Sequence, residues 1–116
     1  MRTDEQERAD AVASGHSVTA HIRRDAELIR WASTRGLTAR IDRATKWGNP
    51  YPIGDGMTRS DVIAAYRQHL AAHPELLASV AELRGKVLMC WCYPQPCHGD
   101  VLIDALQRAT TAQERR

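Results

Sequence analysis

The chain has 116 residues, of which 16 are Lys or Arg, 14 are Asp or Glu, and 43% are hydrophobic. This composition is typical of one soluble domain and excludes a strongly basic protein that binds nucleic acid through its overall charge. Because the net charge is only +2, any anion-binding site is expected to be local. The sequence has neither an apolar stretch of about 18 residues nor a signal-peptide pattern, which predicts a cytoplasmic protein with no membrane partner.

The two ends of the chain differ in character from its middle. Residues 1–16 begin with a charged, Ala-rich stretch, and residues 110–116 are polar without apolar periodicity. Terminal segments of this kind are commonly poorly ordered. We therefore expect an N-terminal tail or frayed helix over 1–16, an α/β domain over 17–109, and a C-terminal tail over 110–116.

The first part of the predicted domain alternates between strand and helix patterns. Apolar and polar residues alternate over 17–22, which predicts a short strand. Asp25 then offers a helix N-cap and Gly36 a helix stop, so we predict a helix over 26–35. The chain is expected to return as a second strand over 37–41.

A long loop separates this part from the next helices. Residues 43–57 contain three Gly and two Pro, and long loops in compact domains usually serve function. Thr58 and Asp61 have the spacing of a capping box, which predicts a helix beginning after Thr58. Pro74 predicts the start of another helix that ends before Gly85, with an apolar face formed by Leu76, Leu77, Val80 and Leu83.

The last part of the domain contains the most apolar segment. Residues 87–92 are apolar on both faces, which predicts a buried central strand, and a final helix is predicted from His98 onward. Strands that alternate with helices predict an α/β domain with a parallel-rich sheet flanked by helices. Ligands of such sheets bind beyond the carboxyl ends of the strands, so we expect residues 22–24, 43–49 and 92–99 to meet at one edge.

Three cysteines and a histidine lie close together at Cys90, Cys92, Cys97 and His98. Three thiolates and an imidazole form a nominal zinc ligand set, although their spacing is not one of the usual zinc spacings. Alternatively, Cys97 begins a helix whose N–H groups lower its pKa, so that it acts as a nucleophile beside His98 or Asp100. In a third interpretation Cys90 is a small packing residue, and Asp100 only complements the helix dipole.

The long loop carries a second group of residues suited to a polar ligand. Arg43 and Lys46 are able to bind phosphate or carboxylate oxygens, and Trp47 offers a flat face to a base. Gly48 permits close approach of the backbone, and Asn49 adds a donor and an acceptor. The alternative is structural: Trp47 fills a gap under the loop, the Gly-Asn-Pro sequence forms a turn, and both cations are solvated.

These motifs resemble the domain of unknown function 4326 family, from about Val18 to Leu106, in residues 40–50, residues 83–86 and the pattern Cys-Trp-Cys-x4-Cys-His-Gly-Asp over 90–100. The resemblance implies a small phage or bacterial protein, located in the host cytoplasm if it is phage-encoded. The family commonly has a Gly-Arg pair where this chain has Asp42 and Arg43, so a flexible backbone at Asp42 is not expected.

The strand, short Pro turn, Cys-His pair and helix are also similar to the domain of unknown function 488 family. Both resemblances imply a small, single-domain Rossmann-like fold associated with nucleotides or nucleic acids. This is an analogy at the level of fold, and the site must supply the chemistry.

The sequence therefore predicts a pocket for a phosphorylated, nucleotide-like or nucleic-acid ligand. Its predicted lining is Arg43, Lys46, Trp47, Asn49, Cys97 and His98. Cys97 and Asp100 are the candidates for catalysis, with the reaction left open. The alternative is a protein-interaction module that acts on a host protein and is stabilised by zinc. Zinc is expected as a cofactor only in this alternative, where its ligands would be Cys90, Cys92, Cys97 and His98.

Overall fold

The computed structural model describes residues 3–54 and 56–114, with side chains described as far as residue 109. Its elements in chain order are α1 (Asp4–Ala13), β1 (Val18–His21), α2 (Ala26–Ser33), β2 (Thr38–Arg40), α3 (Arg59–Ala72), α4 (Pro74–Ala78), a 3₁₀ turn (Val80–Leu83), β3 (Val87–Cys90) and α5 (His98–Glu114). The predicted alternation of strands and helices is confirmed.

The three strands form one parallel sheet in the order β1-β3-β2. Both outer strands align with the start of β3, since Val18 and Thr38 each pair with Val87. The apolar strand β3 lies between the other two strands, as predicted. Both of its faces are covered. It ends at Cys90 rather than at residue 92, since β1 ends opposite Cys90 at His21 and offers no further pairing.

Each face of the sheet has its own apolar core. Leu88 and Cys90 pack against α3, α5 and the 3₁₀ turn, in a cluster that includes Tyr66. Val87 lies on the opposite face, where it packs against α1 and α2. This alternation follows from the two-residue period of a strand. The sheet is therefore flanked by helices on both sides.

The helices on the larger core follow the predicted capping signals only in part. Thr58 and Asp61 form the predicted capping box at the start of α3. Pro74 begins α4, but that helix ends at Ala78 and continues as the 3₁₀ turn. Residues three apart eclipse one another in a 3₁₀ turn, so Val80 and Leu83 are buried together, whereas Leu77 is exposed.

The N-terminal segment, for which a tail or frayed helix was predicted, forms the helix α1. Thr3 and Gln6 cap its start reciprocally. Arg8 is buried and donates two hydrogen bonds to Asp25, of 2.8 and 3.1 Å, and one to the Thr19 carbonyl. Asp25 precedes α2 but caps it with no side-chain hydrogen bond, because its carboxylate accepts from Arg8 and from the His21 amide.

At the other end of the chain α5 continues to Glu114, so its backbone enters the segment predicted as a C-terminal tail. Residues 115 and 116 of that predicted tail lie outside the described residues. Among the described residues, no helix has the length and apolar character needed to cross a membrane.

We predict that Arg8→Met lowers the free energy of unfolding by about 3 to 5 kcal/mol, because it leaves a buried carboxylate without its cation. Burial disfavours the Asp25 carboxylate, but Arg8 and the His21 amide outweigh that effect and hold its pKa below the ordinary value. Urea denaturation measures the loss. The control Arg24→Met removes an exposed cation and should change stability by no more than about 0.5 kcal/mol. If the two variants were equally stable, the contact between Arg8 and Asp25 would not be what holds α1 to the rest of the domain.

Candidate functional site

A cavity of about 450 Å³ lies at the carboxyl ends of β2 and β3. It is lined by the loop after β2, the start of α3 and the segment from the end of β3 to the start of α5. Two of the three segments predicted to meet at this edge line the cavity. The third, residues 22–24, is not among its lining residues. Instead, the Arg23 guanidinium lies 5.7 Å from the centre of the Trp91 ring.

The loop after β2 is held by its own polar groups. The Asn49 side chain donates to the Val62 carbonyl on α3 and accepts from the Tyr51 amide, both at 3.0 Å. Arg43 Nε donates to the Asn49 carbonyl at 3.0 Å. A Cβ atom at Gly48 would lie 2.5 Å from Arg43 Cα, so only glycine fits this close approach. Arg43 and Asn49 line the cavity, and the Asn49 side chain is already hydrogen-bonded to Val62 on α3 and to Tyr51 in the loop.

The other two predicted binding residues of this loop do not line the cavity. Trp47 is only 3% exposed and packs in the larger core, so its ring is not a stacking face for a ligand. Lys46 points to Glu82, with 3.0 Å between Nζ and the carboxylate oxygen. Its ammonium also lies 5.0 Å from the centre of the Trp47 ring. The position of Trp47 thus agrees with the structural alternative, in which its ring fills a gap under the loop.

His98 joins the loop to the start of α5. Its Nε2 donates to the Ile41 carbonyl at 2.5 Å, because a carbonyl oxygen only accepts. The Tyr66 ring packs edge-on against His98 with 4.9 Å between ring centres, and the Tyr66 hydroxyl donates to the Trp47 carbonyl. Burial lowers the pKa of His98 in spite of the Ile41 hydrogen bond, so the imidazole is neutral and keeps Nδ1 as an acceptor.

The three cysteines form one cluster beside the cavity. The sulfurs of Cys90, Cys92 and Cys97 all lie within 4.8 Å of one another, and Cys90 and Cys97 are 3.5 Å apart. Cys90 and Cys97 are buried, and Cys92 is half-buried. His98 does not belong to this cluster, which among the described residues consists of the three cysteines. The predicted four-ligand zinc set is therefore reduced to three thiols.

The two catalytic candidates have different surroundings from those predicted. The pKa of Cys97 is raised, not lowered, because its thiol hydrogen-bonds to Cys90 and is buried. The same hydrogen bond lowers the pKa of Cys90. Asp100 is exposed, and its carboxylate accepts the Cys97 amide at 3.0 Å. Asp100 lies in the first turn of α5.

The lining residues that were not predicted from the sequence include one arginine and two aromatic residues. Arg59, the first residue of α3, lines the cavity and donates to the Pro96 carbonyl at 3.0 Å. Tyr51 and Trp91 are 38% and 47% exposed, and the Trp91 indole N–H donates to Asp42. Arg59 had a usable signal, since it follows directly on the Gly-rich loop. Trp91 had none, because it continues the apolar run of β3.

The fold and the cavity define a small α/β domain with a parallel sheet and a cysteine-containing cavity at the carboxyl edge. The chain belongs to the family described as Domain of unknown function (DUF4326), whose model matches residues 20–108. The resemblance inferred from the sequence motifs is thereby confirmed.

A relative in Enterobacteria phage T4 is named "Uncharacterized 12.4 kDa protein in nrdA-td intergenic region". It is 33% identical over 72 residues, which cover 59% of this chain and 66% of the phage protein. The match thus spans slightly less than two thirds of the relative's length. The chain is therefore similar to a phage protein. No solved structure gives a significant match.

We predict that His98 makes the fold less stable in acid. Because burial depresses the pKa of His98, the unfolded chain binds a proton at higher pH than the folded chain does. The stabilising contribution is complete above the unfolded pKa of about 6.5 and is lost as the pH falls toward the folded pKa. Urea denaturation between about pH 7.5 and pH 5 measures this slope in that window.

In His98→Gln the slope should become shallower, since glutamine is able to donate to the Ile41 carbonyl without titrating. The matched variant His16→Gln changes an exposed histidine and should keep the wild-type slope. Parallel curves for His98→Gln and the wild type would show that His98 is not held neutral by burial.

Proposed function

We propose that the cavity binds a phosphorylated, nucleotide-like ligand through Arg43 and Arg59. The observation that supports this proposal is that two arginines and two exposed aromatic rings line the same cavity. A guanidinium recognises phosphate oxygens through paired hydrogen bonds, and an aromatic ring stacks on a base. The ligand class is a nucleotide or the phosphorylated end of a nucleic acid.

The charges around the cavity favour an anion. Asp42 is the one acidic residue among the described lining residues, and its carboxylate forms an ion pair with Arg40. The hydrogen bond from Arg40, together with that from Trp91, holds the pKa of Asp42 below its ordinary value. Asp42 is thus already neutralised by Arg40. Arg43 and Arg59 remain as the positive charge facing a ligand.

Both arginines are positioned rather than free. Arg43 Nε donates to the Asn49 carbonyl, and one terminal nitrogen of Arg59 donates to the Pro96 carbonyl. Each contact leaves further N–H donors on the same guanidinium, since arginine carries five. A phosphate between the two side chains would therefore meet donors that have lost part of their conformational freedom.

The exposed rings offer the second element of recognition. Trp91 is 47% exposed, and its indole N–H is fixed by Asp42. Tyr51 lies on the other lining segment, and Ile53 beside it is 53% exposed. Aromatic faces stack on bases with little dependence on sequence, typically contributing about 1 to 3 kcal/mol per base. This combination suits a nucleotide better than inorganic phosphate.

We expect reduced, metal-free protein to bind deoxynucleoside 5′-monophosphates more tightly than the corresponding nucleosides in isothermal titration calorimetry. Arg59→Met should weaken monophosphate binding by about tenfold or more, because a hydrogen bond to a charged group contributes about 1.5 to 3 kcal/mol. The control Lys46→Met removes a cation that pairs with Glu82 outside the cavity and should leave the affinity unchanged.

Equal affinities for nucleosides and monophosphates would contradict a phosphate site at the arginines, and so would an equal loss in the two variants. A 5′-phosphorylated oligonucleotide that binds more tightly than every monophosphate would assign the site to a nucleic-acid end.

A further inference from the structure

The sulfur cluster has the dimensions of a metal site. The three sulfurs lie within 4.8 Å of one another, and Cys90 and Cys97 are 3.5 Å apart. Zinc binds thiolates at about 2.3 Å in tetrahedral geometry, which places two sulfur ligands about 3.8 Å apart. Small movements of the side chains therefore suffice to bring all three sulfurs onto one ion.

A backbone amide points at one of these sulfurs. The Gly99 N–H donates to the Cys97 sulfur at 3.3 Å. Such donors stabilise negative charge on sulfur, as groups around metal ligands commonly do.

Glycine at position 99 allows the close approach to Cys97. A Cβ atom there would lie 2.7 Å from Thr19 Cγ2, 2.9 Å from Ile41 Cδ1 and 3.2 Å from the Cys97 sulfur. The start of α5 therefore packs against β1, against Ile41 directly after β2, and against the sulfur at once. This packing fixes the Cys97 side chain next to the end of β3.

All three cysteines also line the cavity. Among the described residues, the cluster contains no fourth histidine, aspartate or glutamate ligand. Structural zinc sites usually have four protein ligands, whereas sites that bind a substrate or water have three and one open position. The open position of this cluster would therefore be on the cavity side.

We propose that Cys90, Cys92 and Cys97 bind one zinc ion through three thiolates, with the fourth coordination position open to the cavity. The ion replaces the thiol protons, which pass to the solvent, so its affinity rises with pH. Water or an oxygen or nitrogen atom of a small ligand would occupy the fourth position. This site is independent of the arginines and does not require the proposed nucleotide.

The test uses the full chain, reduced and freed of metal, with Co²⁺ alone as the probe. We expect an intense sulfur-to-cobalt charge-transfer band that saturates at one ion per chain and disappears when zinc is added. Cys92→Ser should weaken binding by more than about 100-fold, since loss of a group that merely supports a ligand already costs about 10- to 100-fold. Absence of the band, or an unaltered affinity in Cys92→Ser, would overturn the site.

Three further measurements cover the case in which a serine variant is unstable. In the wild type, zinc should protect all three thiols from alkylation, and unprotected thiols would contradict the proposal. Adding imidazole to the cobalt form should shift its visible bands, while unchanged bands would show that the fourth position is closed. Loss of the cobalt band in folded His98→Gln would make His98 a ligand and overturn the three-thiolate site.

Metal binding is measured without any nucleotide, and nucleotide binding is measured on metal-free protein. A failed cobalt titration therefore leaves the arginine site standing, and a failed nucleotide titration leaves the thiolate site standing. The arginine site and the thiolate site are therefore tested by separate measurements.

Discussion

The hydrogen bond from His98 to the Ile41 carbonyl brings the two motif-bearing segments of this protein together. It joins the start of α5 to the end of β2, 57 positions apart in the chain. Tyr66 extends this link, since its ring packs against His98 and its hydroxyl donates to the Trp47 carbonyl. A buried donor left without its acceptor costs about 1 to 3 kcal/mol, so His98 and Ile41 hold each other in place. The cavity lies between the segments joined in this way.

His98 lies outside the cysteine cluster, so among the described residues the cluster offers three ligands and not four. The sulfurs thus face the cavity from one side, and Arg43 and Arg59 line the same space. A soft cation site and an anion-binding site would then be neighbours, so that one ligand is able to contact both.

Much of the fold follows from local signals in the sequence. The apolar run at Val87–Cys90 placed the central strand, and the Thr58 and Asp61 pair marked the start of α3. Parallel strands also determined which edge carries the cavity. These features depend on residues that are neighbours in the sequence and on whether one or both faces of a strand are buried. The spacing of the apolar residues indicates both directly.

The positions and partners of individual side chains were less predictable. Trp47 and Lys46 belong to the motif that bends around the cavity, yet one is buried in the core and the other pairs with Glu82. Arg8 lies in a charged stretch but is buried against Asp25. Long side chains reach partners far away in sequence, and no local pattern specifies such partners. The pKa of Cys97 also depends on such a partner, since Cys90 hydrogen-bonds to it across a turn.

The central claim is that the carboxyl edge of the sheet holds three thiolates around one open coordination position. X-ray absorption spectroscopy of the zinc-loaded protein tests it most directly, because it counts the ligand atoms by element. The account predicts three sulfur atoms at about 2.3 Å and one oxygen or nitrogen atom at about 2.0 Å. A shell of oxygen and nitrogen atoms alone, or one of four sulfurs, would contradict it.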